Sequence, residues 1–141
     1  DTLEIRACDV QLEAQDSVAI AVLTRALANY ALETPPAVAF TQEYLDIALW
    51  QSARWGLSGR LLDPVTATLV PAEELVSTLL ERVSGHYTSQ EDRRFAEAGV
   101  RHILERGNGA SRQRRAFGRA GVPGIMALAT RAMTAAPSDA E

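Results

Sequence analysis

Thr2-Leu3-Glu4-Ile5-Arg6-Ala7-Cys8-Asp9 reads as a β-strand, and what it must pair with decides the fold. Successive side chains of a strand point to opposite faces, so Glu4 and Arg6 share one face and Leu3 and Ile5 the other. A carboxylate able to hold a divalent cation then sits about 7 Å along the strand from a guanidinium able to hold a phosphate or carboxylate. Taken alone, the pair reads as charges on the wet face of a sheet. The chain offers few other strand candidates. A strand at residue 2 with so few partners predicts a segment of a larger protein, or a chain that pairs with another.

With 141 residues the chain is long enough for a single core. Its 47% hydrophobic and 23% charged residues are those of a folded, not a disordered, protein. The net charge of −4 argues against bulk attraction to nucleic acid or an anionic membrane. All 14 basic residues are arginine, which with the alanine and valine load points to a GC-rich coding bias more than a chemical demand. Cys8, the single cysteine, excludes an internal disulfide framework and a multi-thiolate metal site. Two histidines far apart in sequence do not suit a zinc cluster. Without a membrane-spanning apolar run or a signal-like start, the expected location is cytoplasmic.

Residues 11–16 are polar and turn-like. Val18, Val22, Ala26 and Tyr30 then repeat at helical spacing, predicting a helix of about 16–18 residues that Thr34-Pro35-Pro36 ends. A second helix is expected from near Thr41 to a stop at Gly56. The turn at Asp63-Pro64 predicts a short hairpin near 60–70. Pro71 opens a helix whose stripe is Leu75, Val76, Leu79, Leu80 and Val83. Thr88-Ser89-Gln90-Glu91 has the form of a capping box for a helix to Arg106, ending at Gly107. Asn108 or Gly109 starts a basic helix through Arg119, Gly121-Val122-Pro123-Gly124 breaks it, and a last helix covers about 125–134. Residues 1–134 form one unit and 135–141 a frayed tail. The class is α+β and mostly helical.

Three constellations can carry chemistry. The first is Glu4-Ile5-Arg6 with Asp9. The second, Trp50-Gln51-Ser52-Ala53-Arg54-Trp55-Gly56-Leu57, sets an arginine beside two indoles, an arrangement that also suits plain core packing at a helix end. The third, Gly107-Asn108-Gly109-Ala110-Ser111-Arg112-Gln113-Arg114, leads a glycine turn into an arginine-bearing helix. Free N–H groups at a helix start favour anions; equally, Gly107 can end one helix, Asn108 cap the next, and the arginines form a solvated face. No aromatic platform interleaves with these arginines, which disfavours RNA. His86 and His102 show no carboxylate or nucleophile nearby in sequence, so both read as structural. Cys8 reads as a small apolar filler.

In this order, the three constellations resemble the C-terminal part of glutamate–cysteine ligase family 2, the carboxylate–amine ligases. Members read as an E-[IV]-R-x-x-D strand, an apolar helix, a W-R-A-A-R-[YF]-G-L-D-G segment, an extended L-x-D stretch and a G-x-G-A-x-R-Q-R helix start. Here these are Glu4–Asp9, Trp50–Gly59, Leu61-Leu62-Asp63 and Gly107–Arg114. The resemblance spans about residues 2–119 and extends to the glutamine synthetase fold. It implies that the N-terminal strand joins a sheet supplied from outside this chain.

It further implies an ATP-dependent ligase that makes an amide through an acyl phosphate. Glu4 would be a ligand for Mg²⁺ or Mn²⁺, Arg6 and Arg54 catalytic, and Arg112, Gln113 and Arg114 part of the ATP site. The implied partners are the ligase's N-terminal half, on the same polypeptide or a second chain, and small or peptide carboxylate and amine substrates, in an oligomer without nucleic acid or membrane. There are two departures. The family's E-N-[RK]-W-R is here Ile47-Ala48-Leu49-Trp50-Gln51, which fits either a changed acceptor pocket or lost activity. The family's G-x-E-x-E strand and H-x-H-x-G segment are not in this chain, so the segment alone is expected to be inactive. The alternative reading is a non-catalytic helical module, derived from such a ligase, that binds a partner protein or peptide.

Overall fold

In the computed structural model the described residues are 4–5, 11–34 and 40–135. In chain order the elements are α1 (Ala14–Glu33), α2 (Gln42–Trp55), a 3₁₀ turn (Gly56–Ser58), β1 (Arg60–Leu62), β2 (Leu69–Pro71), α3 (Ala72–Val83), α4 (Gln90–Arg106) and α5 (Gly109–Thr134). The fold is α+β and mostly helical, with one antiparallel hairpin among the described residues.

The helix ends follow local chemistry. Thr41 Oγ1 accepts from Tyr44 N, Ser89 Oγ from Asp92 N, and Asn108 Oδ1 from Ser111 N, each satisfying an amide that the first turn leaves unpaired. Gly56 and Gly107 close α2 and α4 at φ of 54° and 85°, a region glycine enters without a Cβ clash. The cap of α4 is Ser89 with Asp92 three residues on, not the Thr88–Glu91 pairing expected. α1 starts at Ala14, so Ala14–Asp16 are helical where a polar turn was expected.

α1 packs along α4 through a seam of small residues. Ala19, Ala26, Ala96 and Val100 are buried there, and a Cβ added to Gly99 would collide with Ala19 Cβ. Such a seam lets the two backbones approach closely, and each larger side chain would hold them apart. α3 lies against α1 and buries Ala72 and Val83. Asn29 Nδ2 donates to the His86 carbonyl at 3.0 Å, and Tyr30 meets the His86 ring edge-on.

The hairpin pairs Arg60 with Pro71, Leu61 with Val70 and Leu62 with Leu69. Its turn is fastened by Asp63 Oδ1, which accepts from Val65 N at 2.7 Å, and Tyr44 Oη donates to the Asp63 carbonyl, tying α2 to the turn. α2 buries no residue: Trp50 and Trp55 are 62% and 50% exposed, where core packing was one expectation.

Of the expected N-terminal strand, only Glu4 and Ile5 are described. Both are exposed and in no regular secondary structure. Arg6, Cys8 and Asp9 lie outside the described residues. Among the described residues no helix is long and apolar enough to cross a membrane.

Candidate functional site

Glu13 immediately precedes α1, and its side chain turns away from the helix it could cap. It faces three cationic or protonatable groups instead. Arg112 Nη2 lies 2.6 Å from Oε1, Arg106 Nη1 3.5 Å from Oε1, and His102 Nε2 3.3 Å from Oε2. The start of α1, the end of α4 and the start of α5 thus meet on one carboxylate. Gly107 makes this convergence work: its positive φ ends α4 and, within two residues, redirects the chain into α5.

The charges respond to this packing. Burial pushes the Glu13 carboxyl up, but the Arg112 hydrogen bond, the charges of Arg112 and Arg106, and the His102 contact outweigh it and hold the carboxyl below its ordinary value. One turn on, Asp16 is only 5% exposed and its Oδ1 has no hydrogen-bond partner. Burial, then the neighbouring Glu13 charge, raise its pKa.

Glu13, Asp16 and His102 bring three metal-capable atoms within 4.8 Å of one another. Glu13 already faces two guanidinium groups there, so a cation would be added beside positive charge. The cluster therefore suits an ion-pair hub, not a metal. His102, read from sequence as structural and without a carboxylate, faces one from 89 positions away. His86 likewise meets Glu33, with Nε2 3.4 Å from Oε2.

Helical geometry in α5 fails at Ala120 and Gly121, where φ is −147° and 60°, and divides it into two arms. Beside the hub opens a cleft of about 1110 Å³ between the start of α1, the end of α4 and both arms of α5. Arg112 lines it, whereas Gln113 and Arg114 are exposed and outside the lining. Arg54 stands near the end of α2 with its guanidinium 4.7 Å from the Trp55 ring centre. A Cβ on Gly56 would lie 3.5 Å from Asn108 Nδ2, so the motif ending α2 and the motif opening α5 are neighbours in space.

A family model described as glutamate-cysteine ligase family 2 matches residues 1–133. The chain belongs to glutamate–cysteine ligase family 2. It is 40% identical over 124 residues to a protein of Streptomyces avermitilis provisionally named glutamate–cysteine ligase 2-1, covering 85% of this chain and 34% of that protein. A provisionally named glutamate–cysteine ligase 2-1 of Nocardia farcinica is 37% identical over 121 residues, 83% of this chain and 32% of the relative. The provisionally named glutamate–cysteine ligase 2 of Rhodopirellula baltica is 30% identical over 118 residues, 81% and 32% of the two chains. The chain thus spans about a third of the length of the curated relatives it matches. No solved structure matches it significantly.

Within this glutamate–cysteine ligase family 2 chain, sequence reasoning missed Glu13, Asp16 and His102. A carboxylate directly before a helix was the available signal, but it reads locally as a cap. Its distant partners become visible only once α1, α4 and α5 are packed.

Proposed function

We propose that this chain is the C-terminal segment of an ATP-dependent carboxylate–amine ligase of the glutamate–cysteine type, working in the cytoplasm with the ligase's N-terminal half. In that reaction a carboxylate oxygen attacks the terminal phosphate of ATP, giving an acyl phosphate and ADP. The amine then attacks the acyl carbon, phosphate leaves and an amide forms. The observation that carries the reading is family membership over residues 1–133. The proximity of the α2 and α5 motifs supports it.

In this proposal Arg6 and Arg54 stabilise negative charge on the transferring phosphoryl and acyl groups, and the Arg112–Arg114 segment contributes to the nucleotide site. Glu4, an exposed carboxylate, is in this proposal an oxygen ligand of the type a hard cation takes. Mg²⁺ or Mn²⁺, when bound, neutralises phosphate charge. The exposed apolar side chains of α2, Leu45, Ile47, Leu49 and Trp50, suit a surface that the rest of the ligase covers.

The test is acid- and amine-dependent ADP release by the complete polypeptide. Glu4→Ala is expected to abolish it while leaving the circular dichroism spectrum and melting temperature unchanged. An unaltered rate overturns the role of Glu4. The same exposed α2 side chains, with Ile47-Ala48-Leu49 where the family has polar residues, also favour a second reading, a non-catalytic helical module that docks a partner. Absence of ADP release from the complete wild type with every acid–amine pair tried would favour that module.

A further inference from the structure

The side chains of α2 sort onto three sides of the helix. Tyr44, Ala48 and Gln51 share one side, are half-buried and face the hairpin, where Tyr44 Oη donates to the Asp63 carbonyl. Leu45 and Leu49, four apart, share a second and exposed side. Glu43, Ile47, Trp50 and Arg54 follow at spacings of four, three and four and share the third. With about 100° between residues, this third side lies nearly opposite the two leucines. All four of its residues are exposed.

The third side is ordered by charge. Arg54 stands at its C-terminal end, stacked on Trp55 and in no ion pair with a described residue. That end of α2 is the one beside the α5 motif, where Gly56 and Asn108 approach. Going back from Arg54, Trp50 lies about 6 Å and Ile47 about 10 Å along the helix axis. Arg54 is the lone cation of α2, whose other charged residues are Glu43 and Asp46. A bound anion therefore finds its partner on this helix at Arg54. A second negative charge further along would meet an indole, an alkyl side chain and then carboxylates.

We infer that the acid substrate lies along this side of α2, its carboxylate at Arg54 and an uncharged, apolar body against Trp50 and Ile47, so that Ile47 sets the specificity for the acid. The inference rests on the ligase reading, in which Arg54 meets the acyl group, and departs from the glutamate of the family's name. A dicarboxylate would have to strip water from its second charge with no partner on α2, whereas an aryl or alkyl acid gains by burying the same surface. Ile47-Ala48-Leu49 stand where the family has polar residues, so the departure in sequence and the apolar side coincide. Leu45 and Leu49, on the other side, are left for the part of the ligase outside this chain to cover.

The experiment gives the complete polypeptide ATP, Mg²⁺ and hydroxylamine, and compares 3-phenylpropanoate with glutamate. The carboxylate oxygen takes the terminal phosphoryl group of ATP and ADP leaves. Hydroxylamine nitrogen then attacks the acyl carbon, phosphate leaves with the proton that the nitrogen loses, and the hydroxamate is read by its ferric colour. The wild type is expected to favour 3-phenylpropanoate at least about 10-fold in kcat/KM. Ile47→Asn is expected to raise KM for 3-phenylpropanoate about 10-fold with kcat unchanged, and Ile47→Leu to restore it. A preference for glutamate overturns the inference. So does an unchanged KM in Ile47→Asn, the outcome if the rest of the ligase, and not the acid, covers Ile47. Calorimetric titration with 3-phenylpropanoate separates this from failure of the ligase reading. Binding that Ile47→Asn weakens, without hydroxamate from either acid, would remove the ligase reading and keep the site. Neither binding nor hydroxamate would remove both.

Discussion

Arg112 Nη2 stands 2.6 Å from Glu13 Oε1, and the Arg112 side chain is only 12% exposed. The contact joins the start of α5 to the start of α1. Removing one partner of such a pair leaves the other charge poorly solvated, which costs more than the pair itself contributes. Arg112→Met is therefore expected to destabilise the fold by about 2 kcal/mol, less than for a fully enclosed pair because Glu13 keeps Arg106 and His102. Denaturant midpoints at constant slope measure it. A loss below about 0.5 kcal/mol would show the pair to be energetically idle.

The two carboxylates should give opposite pH dependences. Glu13 is held below its ordinary value of 4.5, so the folded state takes up its proton later than the unfolded one. Its stabilisation is complete above pH 4.5 and is lost as pH falls through the lower folded value. Asp16 is raised above 3.8, so the folded state holds its proton more tightly, and its cost grows as pH rises through the folded value. Asp16→Asn should accordingly gain stability relative to wild type at pH 7 compared with pH 3.5, and Glu13→Gln should lose it. A stability difference that stays flat with pH for either variant would contradict its assignment.

Gly99→Ala tests the α1–α4 seam. The added methyl meets Ala19 Cβ, so the helices must separate, at a cost of about 1–3 kcal/mol. Gly85→Ala is the control, since nothing lies within 4 Å of its added carbon and it should stay within about 0.5 kcal/mol of wild type. Equal melting temperatures for the two variants would dismiss the seam as a packing constraint.

Arg54 separates structural from functional worth. Its stacking on Trp55 is at an exposed site and is worth about 0.5–1 kcal/mol. Arg54→Ala should thus barely shift the melting temperature, yet in the complete polypeptide it is expected to lower ADP release at least about 100-fold, the scale of one lost charge-stabilising donor. A loss of activity that only tracks a loss of folded protein would assign Arg54 to packing.

The helix ends were legible in sequence because each is decided by neighbours within a few residues. Thr41 and Gly56 bracket α2, Gly107 ends α4, and Asp63-Pro64 marks the hairpin turn, all as their local chemistry predicts. What stayed hidden depends on which helices touch. Nothing around Glu13 indicates that Arg112 will reach it, and nothing around Arg131 indicates that, beyond the break at Gly121, it will line the same cleft as Arg119. Trp50 and Trp55 illustrate the converse: large apolar residues read as core, but the elements packed around α2 in this chain leave them uncovered.

Arg112, Arg115 and Arg119 line the cleft beside Glu13 from one face of α5, at spacings of three and four, with a consequence for length and not for composition. Each residue of a helix turns it by about 100°. One residue inserted or deleted between Arg112 and Ala120 would swing Arg115 and Arg119 off the cleft while Arg112 stayed with Glu13. Natural variants of this segment should therefore keep the number of residues from Asn108 to Gly121 constant, while Gly118, with open space around its added carbon, should exchange freely.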